Sequence, residues 1–389
     1  MRKGESKSKG FCCRIEFVTV AGVTLEEIGW SDFFEEQFAP YRKKGWVPAR
    51  LVEETKINFR AWLEGGEELE VVTGGKVWHE AACDADLPAV GDWVAVEVQG
   101  EDDEHIIRAR LKRRTTFSRK MPGNSSEEQV IAANVDVVVV VTDAVADFNI
   151  RRLERYLTLI GKSGARGVLL VNKADLVSKE EMAALVAEVN ALDPKAEVRG
   201  ASAMEGTGLE VLKDYLAEGL TMALVGSSGV GKSTLVNQLL ERDDLLTGEV
   251  NEVTGKGRHT TSWRELVLLP EGGMLIDNPG IREVQMWTDE ATLRESFADI
   301  EDLTLECRFS DCRHEKDAGC AIVAAVESGE LDPARYESFL NLEIEIAELR
   351  RRQKKRQMAT ERWAKRDRKI KARNWEDRVE LDKEERGDW

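Results

Sequence analysis

A chain of 389 residues is long enough for two or three domains, each with its own core. Charged residues make up 33% and hydrophobic residues 42%, a balance that excludes a disordered chain, and no run approaches the roughly 20 apolar residues that a membrane-spanning helix needs. The formal net charge of −17 hides a segregation, because Arg350 to Arg373 holds 13 Lys/Arg against two Asp/Glu, a local +11 that leaves −28 elsewhere. An acidic body with a basic arm points to a polyanion partner for the arm, the plain alternative being a solvated charged helix.

The first 44 residues are an N-terminal extension to which the sequence assigns no chemistry. Its basic start and the short run FCCRIEFVTV, broken by Arg14 and Glu16, make a poor export signal. A cytoplasmic location is therefore expected, with the six cysteines as thiols or metal ligands rather than disulfides. LEEIGWSDFFEEQFAPYRKKG, at the end of the extension, has the pattern of an amphipathic helix. Over 45–115 short alternating runs follow one another: VPARLVEE, INFRAWLE, ELEVVTG, KVWHEAA, DWVAVEVQ and HIIRARLK read as six strands with glycine-pair turns. Such spacing suggests a small barrel, either an OB-fold or an SH3-like barrel.

FSRKMPGNSSEEQ reads as a linker, and from 125 to 300 the pattern is α/β. VDVVVVVT is a continuous apolar run, as expected of a parallel strand covered on both faces. Leu153, Tyr156, Leu157 and Ile160 share a helix face, and Ser178 with Glu181 forms a capping box. GVLLVN, EVRGAS, TMALVG, RELVLLP and GMLIDN supply further strands of an open, mainly parallel sheet. A Cys/His module over 301–349 and a charged helix over 350–389 complete the chain.

The chemistry sits in four places. GSSGVGKS (226–233), between an apolar strand and a helical run, has the form of a phosphate loop: backbone N–H groups surround phosphate oxygens, Lys232 reaches the β and γ phosphates, and the Ser233 hydroxyl ligates Mg²⁺. In LIDNPG, Asp277 would hold Mg²⁺ and the Gly280 amide would face the γ-phosphate, with Thr260 or Thr261 of GKGRHTTS completing the coordination. NKAD supplies Asp175, whose carboxylate can accept from guanine N1 and its exocyclic amine; Asn172 and Lys173 would brace the loop and cover the base, and Ser202 and Ala203 in ASA form the neighbouring backbone element. Since NKAD precedes the phosphate loop, the elements occur in a circularly permuted order. In many GTPases a Gln after Asp-x-x-Gly orients the attacking water; here that place is Ile281, and His259 is the candidate for the role. Finally, Cys307, Cys312, His314 and Cys320 lie within 14 residues and form a closed tetrahedral set suited to one structural Zn²⁺. Cys12, Cys13 and Cys83 read as ordinary thiols.

VGDWVAV, EQVIAANVD, DFNIRRLERYL, NKADL, GSSGVGKSTL, GRHTT, DNPGIRE and CRFSDCRHEKDAGCA together resemble the circularly permuted ribosome biogenesis GTPases called RsgA or YjeQ, over roughly residues 46 to 350. The resemblance implies an RNA-binding OB-fold, a permuted P-loop GTPase domain and a zinc-binding domain. It implies guanine contacts by Asn172, Lys173 and Asp175, and phosphate contacts by Gly226, Ser227, Ser228, Gly229, Val230, Gly231, Lys232, Ser233 and Thr234. It also implies zinc on the four Cys/His ligands. The expected partners are GTP and GDP, the small ribosomal subunit with its rRNA, and other assembly factors, for a monomer that does not bind membranes. The expected activity is GTP hydrolysis stimulated by the small subunit late in its maturation. The alternative is a GTP-gated RNA-binding factor in which hydrolysis is incidental.

Overall fold

The computed structural model describes residues 22–55, 57–100, 103–121, 127–192, 196–216, 219–241, 265–270, 272–277, 290–309, 311–314, 317–355 and 358. The chain forms two compact units, one of residues 1–119 and 127–285, the other of 120–126 and 286–389.

In the first unit, helix α1 (Asp32–Arg42) turns Phe34 and Phe38 inward. Both pack with Trp30, and Phe34 also packs with Trp93, whose ring meets that of Trp30 edge-on at 4.6 Å. Strands β1 (Val47–Glu54), β2 (Phe59–Trp62) and β3 (Glu68–Thr73) follow, then helix α2 (Gly75–Glu80), β4 (Trp93–Glu97) and β5 (His105–Arg110). β1 pairs with β2 and β4, β2 with β3, β3 in parallel with β5, and β5 with β4, which closes a five-stranded barrel. That closure order, with a helix between β3 and β4, is an OB-fold and not an SH3-like barrel. Alternation fills it: Ala49 and Leu51, Ala61, Val71, Val94 and Val96, and Ile107 point inward. KVWHEAA is the exception among the six expected strands, since residues 75–80 are helical. Its β-prone Val and Trp are overridden by context: Val77 alone plugs the barrel core while Trp78 is exposed.

β6 (Thr116–Lys120) and β7 (Glu128–Ala133) pair with each other, so the segment read as a linker carries a two-stranded sheet. β8 (Val137–Asp143), α3 (Ile150–Ser163), β9 (Arg166–Asn172), α4 (Lys179–Leu192), β10 (Glu197–Gly200), α5 (Glu210–Asp214), β11 (Thr221–Val225), α6 (Lys232–Leu240), β12 (Glu265–Leu268) and β13 (Met274–Asp277) make the nucleotide-type domain. Its sheet runs β10-β9-β8-β11-β13-β12, parallel except for β12, which is antiparallel to β13. The capping box at α4 is present: the Ser178 amide donates to Glu181 at 2.8 Å and the Glu181 amide to Ser178 Oγ at 3.2 Å. On α3, Leu153, Tyr156 and Ile160 are buried as expected, whereas Leu157 is only half-buried.

Barrel and nucleotide-type sheet are continuous, because β1 also pairs with β12 at Glu53 and Glu265. Two carboxylates face one another there, which would repel. The Arg60 guanidinium resolves this, pairing with Glu53, with Glu265 at 2.7 Å and with Glu68 at 3.3 Å. A second tie is Arg50, fully buried on β1. It donates to the Ile28 carbonyl, to Thr221 Oγ1 of β11 at 2.7 Å and to Met274 Sδ of β13 at 3.2 Å. Burial drives its pKa down to about 10, so it stays charged at neutral pH. The Asp92 carboxylate, also buried, receives a two-pronged pair from Arg113 at 2.8 and 2.7 Å.

The second unit is helical: α7 (Glu290–Ser296), α8 (Ala298–Leu305), α9 (Ala321–Ser328) and α10 over 333–355. Phe297 and Phe339 pack together at 5.6 Å, and Arg335 lies over the Phe297 ring while pairing with Asp299 at 2.8 Å. No helix among the described residues is long and apolar enough to cross a membrane.

Burial pushes the Glu265 carboxyl up to about 7, with Arg60 opposing and Glu53 and Glu68 adding to the push. This group's stabilisation is therefore fully present below its ordinary value of 4.5 and is lost as the pH rises through 7. Glu265→Gln, which keeps an acceptor for Arg60, should match the wild type in thermal midpoint at pH 5 and exceed it by about 2–4 °C at pH 8. Equal midpoints at both pH values would contradict this.

Candidate functional site: two loops joined by one amide

The loop 226–231 leaves the fully buried strand β11 and enters α6 at Lys232. Two of its glycines are required by close approach. At Gly226 (φ +148°) a Cβ would lie 2.2 Å from the Val141 carbonyl oxygen, and at Gly231 (φ +97°) it would lie 2.2 Å from the Asn172 amide nitrogen. Val230 is buried in the sheet's core, while Ser228 and Gly229 form the exposed tip. Lys232 folds its ammonium over the loop, donating to the Gly226 and Ser227 carbonyls at 2.7 and 2.6 Å. Ser233, exposed in the first turn of α6, and Thr234 beside it complete an N-terminus suited to anions.

NKAD follows β9, the neighbour of β8 in the same sheet. Asn172, 2% exposed, does not face solvent. Its Nδ2 donates to the Val230 carbonyl at 2.8 Å and its Oδ1 accepts from the Ala203 amide at 2.9 Å. One side chain thus holds three separated segments together. Lys173 has a left-handed backbone (φ 66°), and its ammonium meets Asp143 Oδ2 at 2.8 Å. Asp175, in the next turn, accepts from the Ser202 hydroxyl, and Ser202 Oγ in turn accepts from the Glu205 amide at 3.2 Å. The Ala174 amide donates to the Ala201 carbonyl at 3.0 Å, so the NKAD and ASA turns are tied directly to each other.

The remaining sequence expectations are placed only in part. The backbone of Asp277 ends β13 in register with Leu224 of β11, one strand from the phosphate-type loop. His259, Thr260, Thr261, Gly280 and Ile281 lie outside the described residues, as do Cys12, Cys13 and most of the basic arm. Asp143 is the residue that sequence reasoning missed. Its signal was an acid ending the apolar run of β8, level with Asn172.

In the second unit the Cys307, Cys312, His314 and Cys320 donor atoms lie within 4.8 Å of one another. His314 Nδ1 is 3.5 Å from both Cys307 Sγ and Cys320 Sγ, and those sulfurs are 4.0 Å apart. A tetrahedral zinc with bonds of about 2.3 Å to sulfur and 2.0 Å to nitrogen has edges of about 3.5–3.8 Å, so the donor set fits that metal. The Ala321 and Val323 amides point at the Cys307 and Cys320 sulfurs at 3.4 and 3.5 Å.

A family model described as RsgA GTPase matches residues 110–287. The small ribosomal subunit biogenesis GTPase RsgA of Opitutus terrae is 42% identical over 342 residues, 85% of this chain and 92% of its own. This chain belongs to the RsgA GTPase family. Another RsgA relative, from Syntrophotalea carbinolica, is 40% identical over 84% of this chain and 90% of its own. YjeQ from Thermotoga maritima superposes with a TM-score of 0.56 at 25% identity, covering 78% of this chain and 99% of that one. YloQ, described as a circularly permuted GTPase, shares the fold with a TM-score of 0.51 at 21% identity, over 78% of this chain and 96% of its own. A second family model, described as 50S ribosome-binding GTPase, matches residues 221–358. The RsgA fold accounts for the order in which the loops appear: β8, β9 and β10 come first in the chain, yet β8 lies against β11.

Asn172→Ala should leave the buried Val230 carbonyl and Ala203 amide without partners. The expected loss is about 2–4 kcal/mol in urea unfolding, and a change within 0.5 kcal/mol would show that the amide is not the brace.

Proposed function

We propose that this GTPase binds GTP in the site built from NKAD, ASA and the phosphate-type loop, and that the small ribosomal subunit stimulates its hydrolysis. The observation that carries the reading is the Asn172 side chain, which ties a base-type loop to a phosphate-type loop. Asp175 presents a carboxylate that guanine N1–H and the exocyclic amine can both donate to, a pattern that adenine lacks. Lys232 would exchange its two loop carbonyls for the β and γ phosphates, while the amides of 226–234 surround them. Mg²⁺, held by Ser233 with Asp277 and Thr260 or Thr261, would neutralise charge developing on the phosphates. Water attacks the γ-phosphorus, the bond to the β–γ bridging oxygen breaks, and GDP and phosphate leave.

Ile281 cannot orient that water, so intrinsic turnover is slow and His259 is the group assigned to the task. The same isoleucine favours the second reading, in which bound GTP gates RNA binding and hydrolysis is incidental. The RsgA relatives that cover most of the chain are named for the small subunit, which is why it is chosen over the large one. The barrel of 45–115, the metal module of 301–349 and the basic segment of 350–389 would supply the rRNA contacts, through phosphate neutralisation and stacking. Phosphate release in steady state, with and without purified small subunits, decides between the readings. Stimulation of at least tenfold is expected, and none would favour the gated binder.

We also assign one structural Zn²⁺ to Cys307, Cys312, His314 and Cys320. Cys312→Ser should lower zinc content from one per chain to well below one, and chelation should melt the second unit while nucleotide affinity persists. Unchanged zinc in the variant would overturn the assignment.

A further inference from the structure

Asp143 ends β8 and is 2% exposed. Both of its oxygens are occupied. Oδ1 accepts from the amides of Val145, Ala146 and Asp147 at 3.0, 2.7 and 2.9 Å, and Oδ2 accepts from Lys173 Nζ at 2.8 Å. Burial works against its charge, but Lys173 and the three amides outweigh that and hold the carboxyl below the ordinary range. The same two turns are also joined through their backbones, since the Ala144 amide donates to the Asn172 carbonyl at 3.0 Å.

Lys173 needs such an anchor. A left-handed backbone is costly for a lysine, and that conformation sets the direction in which the chain enters the turn carrying Asp175. The turn closes on Lys173 itself, whose carbonyl accepts from the Leu176 amide at 3.0 Å. An ammonium fixed by Asp143 therefore fixes the residue from which Asp175 is aimed. We infer that Asp143 is a positioning residue for nucleotide selectivity, acting through Lys173 to hold the Asp175 carboxylate where a guanine edge meets it. The inference rests on the proposed guanine site and extends it to a residue that never touches the base. It also reassigns the Lys173 ammonium, which serves the loop and leaves only the aliphatic stem to lie against a purine.

The test uses the full chain and a fluorescent N-methylanthraniloyl GDP as probe, with Asp143→Asn, Lys173→Met, their double variant and Asp175→Asn. Asp143→Asn keeps an acceptor for the amides but loses the ion pair; Lys173→Met keeps the stem and avoids altering a buried position. Each single change at 143 or 173 should weaken probe binding about tenfold, and the double variant should lose no more than either alone. In Asp143→Asn the KM for GTP should rise by a similar factor, with kcat at saturating GTP within twofold. The ratio of GDP to XDP affinity should fall, which a merely structural defect would not cause. Losses that multiply in the double variant, or unchanged affinity in Lys173→Met, would overturn the role of Asp143. Asp175→Asn separates the two levels: if it leaves GDP affinity and the GDP to XDP ratio intact, the guanine site itself is wrong, whereas if it alone alters them, only the positioning role fails.

Discussion

The site depends on the amide of one asparagine. Asn172 spends its donor on the Val230 carbonyl and its acceptor on the Ala203 amide, in a position almost wholly shielded from water. Such bonds are strong where water cannot compete and costly to leave unmade. Because the base-type loops come before the phosphate-type loop in the chain, no short covalent link sets their spacing. Parallel pairing of β8 with both β9 and β11 brings the loops to one edge of the sheet, and Asn172 then sets the distance between them. The glycine at 231 is the complement of that amide, since any Cβ there would collide with it.

The barrel is joined to the nucleotide-type domain by charged groups, one fully buried and one half-buried, rather than by apolar packing alone. Arg50 reaches from β1 to β11 and β13, and Arg60 reaches from β2 to β12. A buried guanidinium is a costly way to gain stability, but it tolerates few alternative arrangements. The barrel is thereby fixed on the sheet in one orientation. The segment ahead of β1 belongs to the same assembly, because Trp30 and Phe34 pack on Trp93 and the Ile28 carbonyl receives Arg50.

Motifs of fixed spacing were legible in the sequence because their chemistry is local: a glycine-rich turn before a helix, an acid two residues after Asn-Lys, three cysteines and a histidine in one loop. Strands were legible where apolar residues alternated with polar ones, as in β2, or ran on unbroken, as in β8, and α4 was legible from its capping box. What escaped depended on partners far away in the chain. Nothing near Arg50 announces Thr221 or Met274, and nothing near Asp143 announces Lys173. KVWHEAA has the side chains of a strand, but only one of them has a core to enter. β6 and β7 read as a linker because the polar, glycine- and proline-containing stretch between them outweighs their few apolar residues. With its barrel order unread, the sequence left OB-fold and SH3-like topologies equal; the parallel pairing of β3 with β5 separates them.

β12, at one margin of the nucleotide-type sheet, would present unpaired amides and carbonyls to any other strand it met. Here β1 lies against it, with Arg60 seated over the junction. At the opposite margin β10 is only four residues long and carries Glu197 and Arg199, a poor template for further pairing. The barrel therefore does a second service unconnected with any ligand. It works as the sheet's terminator, so that a domain cut away from its barrel would be left with an open seam and a tendency to self-association.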